Sequence, residues 1–328
     1  MKYLISFFLL LLGVSQLGCS PESFQAENRN DTRRVIIALP PGASTVVTSD
    51  ANSATSNMLP QGGTLAQRIV PESAGMGRSL EKADFAESQY GIDMVYVEGG
   101  TFSQGCTQEQ ESECGVSENP VHDVTLSDFF IGKYEITQAQ WKSVMGEDNN
   151  PSEFVGDDLP VTNVSWYDAQ VFIIKLNEKT GKRYRLPTNA EWEYAARGGN
   201  QSRGYKYSGS NDINEVAWYA ENSGGTTHRV GTKKANELGI FDMSGNAWEW
   251  VFDLMMAYTG SDVGYSGEAQ TNPQQPEGNF PLIRGGGWNL HDKSANRPSY
   301  SSRVSFYTTN IPTWKSNRLG FRLAHSQI

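Results

Sequence analysis

Two short blocks near the C-terminus most constrain what this chain can fold into. Arg284-Gly285-Gly286-Gly287-Trp288 and Leu319-Gly320-Phe321-Arg322-Leu323 mix glycines with bulky apolar residues, a pattern of tight turns and strands packed on a core. Between them nothing is periodic. Of the 31 residues from Trp288 to Arg318, six are Ser, four Asn, three Thr and two Tyr, so half the stretch consists of adaptable hydrogen-bonding types. Antibody paratopes have this composition, with Tyr and Trp for rigid contact area and Ser and Asn for hydrogen bonds. A polar, aperiodic segment is by default a surface loop or a tail. Here Trp288, Tyr300, Phe306, Tyr307 and Trp314 are too many aromatics for disorder, and the chain then returns to a strand-like GFRLA, which favours a tethered loop. The window is locally basic, with three Arg and two Lys against Asp292, in a chain of net charge -10. With that overall charge no nucleic-acid partner is expected.

At the other end, residues 1–18 carry an early Lys2, the apolar run Phe7 to Leu12 and Gln16-Leu17-Gly18, which reads as a secretory signal peptide. Cys19 follows directly. This arrangement resembles the bacterial lipoprotein signal, in which that Cys becomes the lipidated N-terminus, although Gln16 stands where Leu is more usual; a plain cleaved signal is the alternative. Residues 19–92 are rich in Ser, Thr, Asn, Gly and Pro and read as a polar linker, since such a composition buries little apolar surface. Val35 to Leu39 could add a strand, and Arg78 to Glu87 a short helix.

Residues 93–328 have the length of one large domain. Met94 to Val97 and Gly99 to Phe102 read as a hairpin, and Val121 to Leu126 alternates like a third strand. Thr137-x-x-Gln140 and Thr188-x-x-Glu191 are capping boxes, and Ser165 caps a helix through about Glu178 with Trp166, Ala169, Val171, Phe172, Ile174 and Leu176 toward the core. Cys106 and Cys114, eight residues apart in a polar loop of an exported chain, predict a local disulfide contributing about 2–3 kcal/mol. The four histidines show no metal-ligand spacing.

An ordered set of motifs then becomes specific. MVYVEGGTF (Met94 to Phe102), YEIT (Tyr134 to Thr137), PVTNVSW (Pro160 to Trp166), RLPTNAEWEYAARGG (Arg185 to Gly199), GIFDMSGNAWEW (Gly239 to Trp250), Arg284-Gly285-Gly286 and Gly320-Phe321-Arg322 resemble the formylglycine-generating-enzyme (sulfatase-modifying factor) family over nearly all of Met94 to Ala324. The resemblance implies an α+β, C-type-lectin-like fold with a small twisted antiparallel sheet, two or three helices and much irregular structure. It also implies where oxidase chemistry would sit. The family's enzymes place two copper-binding cysteines a few residues past the RGG motif, and Leu290 and Ala295 stand at those positions, so no oxidase activity is expected. In GIFDMSGNAWEW the family pattern implies a calcium loop of Asp242, Gly245, Ala247 and Glu249, a hard-cation set of oxygen ligands; the same residues also read as a hydrogen-bonded turn.

The region 288–324 is similar to the variable region of proteins diversified by retroelements, most like the variable surface lipoproteins of treponemes. That likeness implies a non-enzymatic, lipid-anchored monomer of the outer membrane or cell surface, binding an unknown protein or cell-surface ligand. The expected contacts are Asn289, His291, Asp292, Ser294, Tyr300, Ser301, Ser302, Ser305, Phe306, Tyr307, Thr309, Asn310 and Trp314. Trp288, Ala295, Arg297, Arg303 and the GFRLA strand would form the fixed frame. Two alternatives stand beside this reading: a structural or motility-associated envelope lipoprotein of the same fold, and an atypical formylglycine-generating oxidase.

Overall fold

The computed structural model describes residues 90–110, 114–256, 266–289 and 299–326. The signal peptide, Cys19, linker residues 20–89 and their two short candidate elements lie outside them, as do His291, Asp292, Ser294, Ala295 and Arg297; the last of the expected linker residues, Ile92, is instead buried in the core.

Three helices form where the sequence places their starts. Thr137, Ser165 and Thr188 each accept a hydrogen bond from the third residue on, whose side chain bonds back to the cap, opening α1 (Gln138–Met145), α2 (Trp166–Thr180) and α3 (Asn189–Ala196). Helix α2 ends at Gly181, whose left-handed φ of 67° suits glycine. Its buried stripe is Ala169, Phe172, Ile173 and Leu176. Ile174 was expected inward but is 45% exposed, because the helical period assigns the core position to its neighbour Ile173.

The strands fall into three small sheets. β1 (Met94–Val97) lies antiparallel to β4 (Phe129–Gly132), which also pairs β10 (Ala324–Ser326). β2 (Gly100–Gln104) pairs β3 (His122–Leu126), and the two-residue β6 (Gln270–Thr271) lies beside β3. The expected hairpin of β1 with β2 is therefore not made. Gly99 cannot carry a side chain there: a Cβ would fall 2.4 Å from the carbonyl of Leu126, and the chain turns so that each strand enters a different sheet.

The central sheet runs β8-β7-β5-β9, built from β5 (Trp248–Met255), β7 (Phe280–Arg284), β8 (Tyr307–Thr309) and β9 (Leu319–Phe321). Period-two alternation splits its side chains between two cores. Trp250 and Ile283 join Phe321 against α1 and α2, where Trp141 stacks on Phe172 at 5.4 Å. Val251 and Leu282 pack with Trp192, Tyr194 and Val304 of α3 and its surroundings. Both C-terminal blocks thus lie in one sheet: Arg284 closes β7, and β9 runs parallel to β5 with a Cβ at Gly320 falling 2.3 Å from the Val161 carbonyl. Leu176→Ala is expected to lower unfolding free energy by about 2–5 kcal/mol, whereas Ile174→Ala changes it by no more than about 0.5 kcal/mol; urea denaturation of the two variants checks the assignment.

Candidate ligand-binding surface

Buried guanidinium groups hold the C-terminal region. Arg284 is fully buried, with Nη2 2.9 Å from Glu193 Oε2. Its Nε donates to Asn189 Oδ1 at 2.6 Å and its Nη1 to the Ser305 carbonyl at 2.9 Å. Arg303 is also fully buried and meets Glu118 through two parallel bonds of 2.8 Å, while its Nε donates to the Tyr300 carbonyl at 3.0 Å. Ser305 Oγ donates to the same Glu118 at 2.6 Å. Such bidentate pairs fix position as well as charge. The local disulfide Cys106–Cys114 is formed and closes the loop from which Glu118 emerges, with Cys114 Sγ 3.5 Å from Arg303.

The ends of the segment are brought side by side. Gly285 and Gly286 take left-handed φ of 91° and 74°, turning the chain out of β7 so that the Trp288 N–H reaches the Asn246 carbonyl at 2.8 Å. Trp288 Nε1 donates to the Asn317 carbonyl at 3.2 Å, and Arg318 Nη1 to that of Asn289 at 3.1 Å. Past β8 the chain lies over the start of α2: Trp166 N–H donates to the Pro312 carbonyl, Asn163 N–H to that of Ser316, and Lys315 pairs with Asp168 at 2.7 Å.

What this frame leaves accessible is narrower than the sequence suggests. Asn289, Tyr300, Phe306, Asn310 and Trp314 are half-buried, and Ile311, Thr313 and Lys315 are exposed. Tyr300, Phe306 and Trp248 form an aromatic row, with Phe306 centred 5.0 Å from Tyr300 and 6.1 Å from Trp248, and Phe154 meets the edge of Trp288. By contrast Ser301, Ser302, Ser305, Tyr307 and Thr309, expected as contacts, are buried. Two of their hydroxyls serve the frame: Ser305 bonds Glu118 and Tyr307 donates to the Ser117 carbonyl at 2.8 Å, whereas those of Ser301, Ser302 and Thr309 are buried without a partner. Glu118 was not singled out from the sequence, since it lies 185 residues from Arg303 along the chain. Its one signal was its place just after Cys114. The acids of α3, Glu191 and Glu193, pair with Arg185, and with Arg197 and Arg284.

The proposed cation loop does come together, but not as a cage. Both oxygens of Glu249 are bonded to Arg322 at 2.7 Å, and Trp192 Nε1 donates to one of them. Asp242 accepts from the Gly231 N–H and leaves Oδ1 buried without a partner. Gly245 N–H joins the Gly285 carbonyl, and Ala247 N–H is taken by Glu135, whose carboxyl burial and its acidic neighbours push well above the usual range. Among the described residues no group of three or more His, Cys, Asp or Glu side chains could hold a metal ion. Of the two carboxylates in the set, Glu249 is thus committed to Arg322, and Asp242 Oδ1 is the oxygen left open.

Residues 81–327 match the family model of the sulfatase-modifying factor enzyme 1-like domain. The chain belongs to this family and has its C-type-lectin-like fold. It is 39% identical over 246 residues to the chaperone protein LppX of Paenibacillus barcinonensis, covering 60% of this chain and 78% of that one. It is 34% identical over 180 residues to the formylglycine-generating enzyme of Streptomyces coelicolor, covering 51% of this chain and about half, 52%, of the enzyme. The structure is similar to that of Treponema denticola variable protein 1, with a TM-score of 0.61 and 29% identity over 72% of this chain and 95% of that one.

Removing Arg303 strands a buried carboxylate, so Arg303→Met is expected to cost about 3–5 kcal/mol of stability, much of it recovered by Glu118→Met in the same chain; a double-mutant cycle by denaturation checks this. A second expectation concerns pH. Burial pushes the Asp253 carboxyl up to about 6, even though the N–H groups of Asn189 and Gln275 bond its oxygens. The native state then keeps a proton that the unfolded chain has released from about pH 4, so this group's contribution to stability falls as pH rises toward 6. The unfolding free energy of the wild type relative to Asp253→Asn should decline by about 3 kcal/mol between about pH 4 and pH 7, measured by urea titration at each pH.

Proposed function

We propose that this protein is a non-enzymatic, lipid-anchored surface receptor whose C-terminal region is a diversified ligand-binding site. One observation carries the reading: buried guanidinium pairs and paired segment ends hold the backbone at residues 288–289 and 299–318, while Asn289, Tyr300, Phe306, Asn310 and Trp314 keep partial access to solvent. Side chains on such a surface can change without disturbing what holds it. The likeness to Treponema denticola variable protein 1 supports the same reading.

Oxidase chemistry of the family's kind has no thiol to use. The matched domain contains two cysteines, Cys106 and Cys114, and both are spent in the disulfide. The ligand is a protein or another cell-surface molecule, met chiefly by Phe306, Trp314 and Tyr300, since aromatics dominate interface energies. The anchor is Cys19, with residues 20–92 as the spacer between lipid and domain. Identity to a protein named as a chaperone favours a second reading, in which the same surface takes unfolded chains and its sequence is constant.

The deciding measurement is the nucleotide sequence downstream of the gene. A near-copy of the region encoding residues 288–324, differing almost only at adenines and flanked by a reverse transcriptase, is the expected result; its absence returns the protein to the constant-surface reading. At the protein level, Thr313→Ala and Lys315→Ala together should change unfolding free energy by no more than about 1 kcal/mol, as exposed positions do, measured by thermal melting.

A further inference from the structure

A groove of about 620 Å³ opens at the far end of β5, where Leu254 and Met255 meet β6 and the start of α3. It is within the size range of small-ligand sites. Gln104, the last residue of β2, lines it; its side chain is only 2% exposed, and its Nε2 is buried with no hydrogen-bond partner. A buried amide donor left unmet costs about 1–3 kcal/mol, so it calls for an acceptor. Thr309, on the same face of β8 as the lining residue Tyr307, leaves a second buried hydroxyl without a partner.

The rest of the lining specifies what would bring that acceptor. Met255, Leu282 and Tyr307 give it an apolar floor. Among the described residues that line it, the one carboxylate, Asp253, already accepts from the N–H groups of Asn189 and Gln275, which leaves little to attract a cation, and there is no Lys or Arg to attract an anion. One wall is β6, which pairs with β3 on one side and, among the described strands, lies at the edge of its sheet on the other. A strand edge, an apolar floor and an unmet amide donor together suit a chain of peptide groups, which adds to sheet edges and offers carbonyl oxygens at regular spacing.

We infer that this groove is a second binding site, separate from the C-terminal surface, for an uncharged extended peptide segment, with Gln104 Nε2 donating to one of its carbonyl oxygens. The site uses residues outside 288–324 except for Tyr307, which is buried, so its specificity is constant while the other surface changes.

The test is a two-dimensional nitrogen–proton NMR titration of the folded protein with tetra-alanine, acetylated at its N-terminus and amidated at its C-terminus, reading the side-chain amide pair of Gln104, identified by its loss in Gln104→Leu. A saturable shift of that pair is expected in the wild type, and the backbone amide of Thr271, which lines the groove and is present in every variant, should report binding at least about tenfold weaker in Gln104→Leu, the worth of one buried hydrogen bond. Gln274→Trp, at an exposed rim position, should weaken it likewise by filling the groove, and serves if Gln104→Leu does not fold. No saturable shift, equal binding by both variants, or a response to diacetylchitobiose in place of the peptide overturns the assignment.

Discussion

The structure depends on burying guanidinium–carboxylate pairs. Arg284, Arg303 and Arg322 are each wholly enclosed, and so are Glu193, Glu118 and Glu249 that face them. Taking both charges out of water costs several kcal/mol per ion, and apolar replacements of similar shape often do as well. What apolar side chains could not do is satisfy the surrounding backbone. Arg284 collects the carbonyls of Val304 and Ser305, Arg322 those of Gly132 and Phe241, and Arg303 that of Tyr300. Apart from that of Gly132 at the end of β4, these carbonyls belong to irregular chain that no ladder pairs, and buried backbone groups must be paired somewhere. A guanidinium, with five donors in one plane, does for loops what a neighbouring strand does for a strand.

That division of labour explains which parts could be read from the sequence. The helix starts at Thr137, Ser165 and Thr188 were legible because their caps are local, each within three residues. So was the Cys106–Cys114 bridge. The arrangement of β1 and β2 was not, because the clash at Gly99 involves Leu126, and hairpin reasoning sees only neighbours. The partners of the frame arginines were out of reach for the same reason. Glu118 reaches Arg303 from the opposite half of the chain, 185 residues away, with no local pattern to link the two.

The polar composition of the C-terminal region misled in a different way. Ser and Thr serve equally as exposed contacts and as buried donors, so their count marked a hydrogen-bonding segment without separating its two faces. Strand β8 makes that separation. Tyr307 and Thr309 point to the interior beside the groove, and Phe306 and Thr308 to the half-buried side with Trp248. One short strand is thereby a partition between a half-buried aromatic side and the buried wall of the groove.

The enclosed pairs also bear on the medium in which such a domain works. Exposed charges lose their mutual attraction within about 8–10 Å at ordinary ionic strength, but pairs shut away from water are screened far less. The surface contacts of Lys315 with Asp168 and Lys234 with Glu215 should therefore loosen in brine, while Arg284, Arg303 and Arg322 stay in place. A shape held in this way is nearly indifferent to salinity, and its peripheral loops are the parts that salt would soften first.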